Sequence, residues 1–152
     1  LKRFASKLRA GIVLTAAMVG IGVAVMAPSP ALAAITVEYN TAVADSAPSD
    51  TSEKMTVAGS TAYYVDYGDK WYVKDTAADG KSAVVIWEYY INFEQTRAGM
   101  CSNKQGNGTW GSCNKEYDES AGIRAKACTY DFSAGKAGAC SAWRVVKGEI
   151  IP

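Results

Sequence analysis

The chain is 152 residues long and carries 16 lysines and arginines against 15 acids, with four cysteines and no histidine. That length leaves room for one small domain beside any targeting segment, and a formal charge of +1 supplies none of the basic excess that nucleic-acid binding calls for. Without histidine the Ser-His-Asp triad, the Cys-His pair and the Glu-His pair of small secreted ribonucleases are excluded, and no G-x-S-x-G elbow is present.

The first ten residues, LKRFASKLRA, hold Lys2, Arg3, Lys7 and Arg9 and no acid. An uncharged run follows from Gly11 to Ala27, and PSPALAA then ends in the small-x-small site Ala31-Leu32-Ala33. These three parts predict a secretory signal peptide over residues 1–33, cleaved before Ala34. As a membrane anchor the apolar run sits at the lower limit of about 17 residues, and it is rich in Gly and Ala rather than Leu. Cleavage takes four of the 16 basic residues and none of the 15 acids, so the remaining 119 residues carry 12 − 15 = −3. The product is expected outside the cell as a monomer, with no membrane or nucleic-acid partner.

Residues 34–60 read as a flexible leader, because TAVADSAPSDTSE, from Thr41 to Glu53, has no large apolar residue except Val43 and is too polar to offset its ordering entropy. The folded domain is expected over residues 61–152. AYYV and KWYVKDT read as two strands joined by a turn at Tyr67-Gly68-Asp69, and Asp79-Gly80 marks a hairpin. In AVVIWEYYINFE the positions Val85, Trp87, Tyr89, Ile91 and Phe93 are apolar while Glu88, Asn92 and Glu94 alternate with them, which predicts a long strand with one dry face. GIRAKACTYDF alternates again, with Ile123, Ala125 and Ala127 facing inward and Arg124, Lys126, Cys128 and Tyr130 outward. The last strand, SAWRVVK, is read with Trp143 and Val145 inward. Together these periods predict an all-β, disulfide-stapled β-sandwich of Ig-like or jelly-roll type with six or seven strands.

The four cysteines form two pairs of equal spacing, Cys101 with Cys113 and Cys128 with Cys140. A zinc site needs C-x-x-C pairs or helping histidines, and neither is present. In an exported chain an even set of cysteines reads as a disulfide framework. Of three possible connectivities the local pairing is expected. Cys128 and Cys140 fall on the outward parity of neighbouring antiparallel strands, and Cys101 and Cys113 close a Gly- and Asn-rich loop. Closures of this length contribute roughly 3 kcal/mol each through loop entropy.

YVKDTAADGKSAVV, the lone Arg97 ahead of Cys101, the Asn/Gly loop ending in Trp110 and Cys113, GIRAKAC and the final CSAW together resemble a group of small secreted proteins of unknown function from high-GC Gram-positive bacteria. The resemblance spans about Trp71 to Trp143. It implies a secreted all-β domain and transfers no functional residue.

Glu88 and Glu94 share a strand face, but six residues at about 3.3 Å each set them roughly 20 Å apart, beyond the ~10 Å within which paired glycosidase carboxylates work. Asp66, Asp69, Asp75 and Asp79 gather around two turns, where oxygen-rich loops hold calcium in some extracellular proteins but where Asp also caps turn backbone. No metal or cofactor is expected. Tyr72, Tyr90 and Trp110 fall on loops or on the polar parity of strands and are the candidate ligand-binding residues, since flat rings give contact area at low entropic cost. Trp110, between Gly108-Thr109 and Gly111, is expected as an exposed ring whose truncation costs less than that of a core Trp. The expected function is a non-catalytic binding or interaction module for an extracellular glycan or protein. The alternatives are a peptidase inhibitor presenting the loop from Ser102 to Ser112, and a carboxylate-based hydrolase that uses Glu88.

Overall fold

The computed structural model describes residues 34–151, and the signal-peptide reading of residues 1–33 lies outside them. Among the described residues there are eleven strands and no helix long and apolar enough to cross a membrane. The strands are β1 (Thr36–Thr41), β2 (Val43–Asp45), β3 (Glu53–Val57), β4 (Ser60–Val65), β5 (Lys70–Asp75), β6 (Ser82–Ile91), β7 (Glu94–Asn103), β8 (Trp110–Asn114), β9 (Gly122–Asp131), β10 (Lys136–Cys140) and β11 (Arg144–Lys147). They form a six-stranded sheet in the order β1-β7-β6-β9-β10, with β11 also on β9, and a five-stranded sheet in the order β2-β8-β5-β4-β3. The two sheets pack on each other as a β-sandwich.

Alternation builds the core as expected along β6, where Val85, Trp87 and Tyr89 are buried. They meet Ile123, Ala125 and Ala127 of β9 on the same face, and Tyr64, Trp71 and Val73 from the opposite sheet. β6 stops at Ile91 rather than running through Phe93. Asn92 and Phe93 both take positive φ (49° and 66°) and make a two-residue turn, since Ile91 pairs with Glu94. Phe93 is consequently exposed.

Residues 34–60, expected as a leader, contribute three strands. β1 pairs in parallel with β7, and β2 and β3 are the two edges of the five-stranded sheet. The reading from composition rested on Thr41–Glu53, which holds β2 but only the last residue of β1 and the first of β3, and the inward residues of β1, Glu38 and Asn40, are held by ions rather than by apolar contact. Arg97 of β7 donates from Nε to Glu38 Oε1 at 2.9 Å. Lys115, whose side chain is only 5% exposed, donates to Glu38 Oε2 at 2.6 Å and also to Asn40. The Arg97 guanidinium lies 5.0 to 5.7 Å from the ring centres of Trp87, Tyr89 and Tyr117 and donates to the Glu116 carbonyl. A cation partly desolvated against three rings is stabilised by their quadrupoles. Tyr117 in turn accepts a 2.9 Å hydrogen bond from Trp71 Nε1, so the loop after β8 roofs the core. Gly99 makes room for this arrangement, because a Cβ there would enter the Trp87 ring and the Glu38 carbonyl.

Both disulfides form with the expected partners, and no described cysteine is free. Cys128 and Cys140 are direct cross-strand partners. Cys101 on β7 and Cys113 on β8 join the two sheets through the core. Trp143 differs from the reading above. The strand breaks between Cys140 and Arg144, so parity does not carry across, and Val146 points into the core while Trp143 and Val145 are outward.

A chain starting at Thr61 lacks β1, β2 and β3 and leaves Arg97 without Glu38. Its thermal melt by circular dichroism is expected to lose the cooperative transition shown by a chain starting at Ala34. The Glu38 carboxyl feels burial, which raises its pKa, but the hydrogen bonds and charges of Lys115 and Arg97 outweigh burial and hold it below its ordinary 4.5. A depressed carboxylate contributes stability that is complete above the unfolded pKa and lost as pH falls through the folded one. Urea midpoints are therefore expected to fall from about pH 5 to about pH 3, and Glu38→Gln should shallow that slope while lowering the midpoint at pH 7.

Candidate functional site

The inward direction of Cys113 fixes which way β8 and its neighbours face. Cys113 pairs with Trp71, and both are buried in the core. Trp110 and Ser112 on β8 therefore point outward, with Lys70, Tyr72 and Lys74 on β5, Tyr63 on β4, Lys54 on β3 and Asp45 on β2. The register places these side chains as neighbours: Lys54 opposite Tyr63, Tyr63 opposite Tyr72, Tyr72 opposite Ser112, and Lys74 opposite Trp110, which is opposite Asp45.

Trp110 is the first residue of β8 rather than a loop residue, and it is half-buried. Its ring reaches across β5 to lie 5.7 Å from the Tyr63 ring at a 36° tilt. Tyr63, though outward, is 9% exposed. Lys74 Nζ stands 5.6 Å from the centre of the Trp110 ring, and Lys54 Nζ 6.0 Å from that of Tyr63. Lys70 Nζ is 5.2 Å from the Tyr72 centroid, but it also donates to Tyr72 Oη at 3.4 Å, which puts it at the hydroxyl end rather than over the face. Lys70 also meets Asp45 Oδ2 at 3.3 Å. Hydrogen bonds to Tyr72 and then Asp45 raise the Lys70 pKa. The Ser112 hydroxyl, 2.7 Å from Asp45 Oδ2, and then the Ser46 amide lower that of Asp45. Among the described residues Lys54 and Lys74 have no acidic partner within salt-bridge distance.

Of the three candidate residues, Trp110 and Tyr72 share this face and Tyr90 does not. Tyr90 lies on the outer face of the six-stranded sheet, where its hydroxyl donates to Glu88 Oε2 at 2.6 Å. Burial first, then Glu88, push its pKa up to about 12. The same Glu88 oxygen accepts from Arg124 Nε at 2.6 Å, and the cations of Arg124 and Lys126 stand 4.8 and 4.5 Å from the Trp143 ring. Glu88 is thus engaged by a cation and a phenol on its own sheet face.

The turn aspartates divide between the two ends of β5. Asp69 accepts from the Tyr64 hydroxyl and the Tyr117 amide, and Asp66 from Lys147, while Asp75 caps Ala77 and Asp79 caps Lys81. The loop between Cys101 and Cys113 is pinned at its base. Asn103 Nδ2 donates to the carbonyls of Val73 and Thr109, and Gly106 and Gly108 turn the chain with positive φ. Its exposed part is short and folded back rather than extended.

No family model, curated protein or solved structure matches this chain. The lysines of the face were missed by the reading of the sequence, although KWYVK places Lys70, Tyr72 and Lys74 on one parity. Lys54 lay inside the segment taken for a leader.

Trp110 covers Tyr63 and is itself only partly exposed. Trp110→Ala is therefore expected to cost about 2 kcal/mol in urea unfolding, below the roughly 3 to 5 kcal/mol of a core aromatic. A loss at or above that core range would show that Trp110 serves only as packing.

Proposed function

We propose that this protein is a secreted, non-catalytic binding module that takes an extracellular glycan on the outer face of its five-stranded sheet. The observation that carries the proposal is the convergence of Trp110, Tyr63, Tyr72, Lys54, Lys70 and Lys74 on one face with Asp45 as its acid. The rings of Trp110 and Tyr72 give apolar area for the flat side of a sugar, and the tyrosine and serine hydroxyls and lysine ammoniums supply hydrogen bonds at its rim. Preorganisation favours binding over mere exposure, because Trp110 is held by Tyr63 and Tyr72 by Lys70 before any ligand arrives. Export is supported by the signal-peptide pattern, by two closed disulfides and by the resemblance to small secreted proteins. The folded-back loop between the first two cysteines and the engaged Glu88 give the inhibitor and hydrolase readings no comparable support.

Affinity electrophoresis of the chain from Ala34 in polysaccharide-containing gels tests this reading. Tyr72→Ala and Trp110→Ala are each expected to weaken binding by about 30-fold, the scale of a contact hot spot near 2 kcal/mol. Tyr39→Ala, on the opposite sheet, should bind as the parent does. Equal binding by all three variants would overturn the proposal.

A further inference from the structure

We infer that the glycan is acidic, a chain of sugar rings bearing carboxylates, and that it lies across the strands from Lys54 on β3 towards Lys74 and Trp110. This rests on the reading of the face as a glycan surface. The first ground is charge segregation. Residues 34–152 carry −3 in total, yet this face holds three lysines and a single aspartate. Asp45 is already engaged by Lys70 and Ser112, so Lys54 and Lys74 present uncompensated charge on a domain that is otherwise acidic.

The second ground is the coupling of charge to ring. Lys74 stands beside Trp110 and Lys54 beside Tyr63. A unit that stacks on Trp110, which covers the buried Tyr63, brings its rim within reach of the Lys74 ammonium, so the fitting unit carries an apolar face and an anionic edge together. A neutral sugar leaves both lysines desolvated without a counter-charge, which costs free energy.

Direction follows from the spread of the face over neighbouring strands. A polyanion running across the strands meets Lys54, Tyr72, Lys74 and Trp110 over three strand spacings, about 14 Å, whereas one running along them leaves Lys54 or Trp110 untouched. The face also has no arginine, the residue that grips phosphate bidentately.

Isothermal titration of the chain from Ala34 with three probes tests the inference: polygalacturonate, its fully methyl-esterified form, and a single-stranded oligonucleotide of similar charge. The expected result is binding to polygalacturonate that weakens with added salt, at least tenfold weaker binding to the ester, and weaker binding still to the oligonucleotide. Lys54→Gln with Lys74→Gln should lower polygalacturonate affinity about fivefold, the scale on which two exposed ion pairs act, with an unchanged melting temperature. Equal affinity for acid and ester, with both lost in Tyr72→Ala, would overturn the acidic class and leave the glycan face standing. Tighter binding to the oligonucleotide, or no binding to polygalacturonate, would overturn the inference, and indifference of every probe to Tyr72→Ala would remove the face itself.

Discussion

The bond between Cys101 and Cys113 is the constraint on which the rest of the sandwich depends. It joins β7 of one sheet to β8 of the other, so both cysteines must point into the space between them. Because side chains alternate along a strand, one inward residue fixes every other. On β7 and its partner β6, Cys101 stands opposite Val85, and Trp87 and Tyr89 follow inward. On β8 and β5, Cys113 stands opposite Trp71, which sends Trp110, Tyr72, Lys70 and Lys74 outward. The core and the candidate face are thus two consequences of one covalent link. Cys128 and Cys140 do a smaller task, tying the exposed β9–β10 hairpin on the outer side of the six-stranded sheet, where Val84, Met100 and Cys128 form a separate apolar cluster.

Charge is distributed by the same geometry. The edge of the six-stranded sheet closes on an ionic core, with Arg97 and Lys115 around Glu38 under the rings of Trp87, Tyr89 and Tyr117. Removing Glu38 from this partly buried network is costly chiefly because the Lys115 ammonium, 5% exposed, is left without its counter-charge. Lys147 is engaged by Asp66 and Glu119, Arg144 by Glu53 and Arg124 by Glu88. Lys54 and Lys74, like Lys81, Lys104, Lys126 and Lys136, have no acidic partner within salt-bridge distance among the described residues.

Much of the fold was legible in the sequence wherever apolar residues alternate. The dry face of β6, the parity of β9, the turn between β4 and β5 and both disulfides follow from period and spacing alone. What could not be read from period was structure held by polar contacts. β1 offers Glu38 and Asn40 inward, where the partly exposed Arg97 and the buried Lys115 hold them. Trp143 was misplaced because the strand breaks after Cys140, yet the reading of Cys140 survived, since the parity count across that break happened to return the right face. For the site, glycines around Trp110 suggested a loop, but Gly111 serves a different need. A Cβ there would meet Ala42, at the point where the chain crosses from one sheet to the other. Cys113, three residues on and inward, already required an outward Trp110 on a strand.

A lysine beside a ring acts on binding in two opposing ways, and their balance is set by what is already fixed. An ammonium that wanders in solvent loses up to about 2 kcal/mol of rotamer freedom when a ligand holds it. On this face the Trp110 ring beside Lys74, and the Tyr63 ring beside Lys54, restrict the stem before binding. Part of the ordering cost is therefore met during folding. The rings gain as well, since a cation at the rim holds Trp110 against Tyr63 without covering all of its outer surface. A surface arranged in this way does not need an enclosed pocket. The ligand proposed for it is long, repeats its charge and lies flat, and a twisted sheet with side chains at alternate positions along every strand offers contacts of that spacing over its whole width.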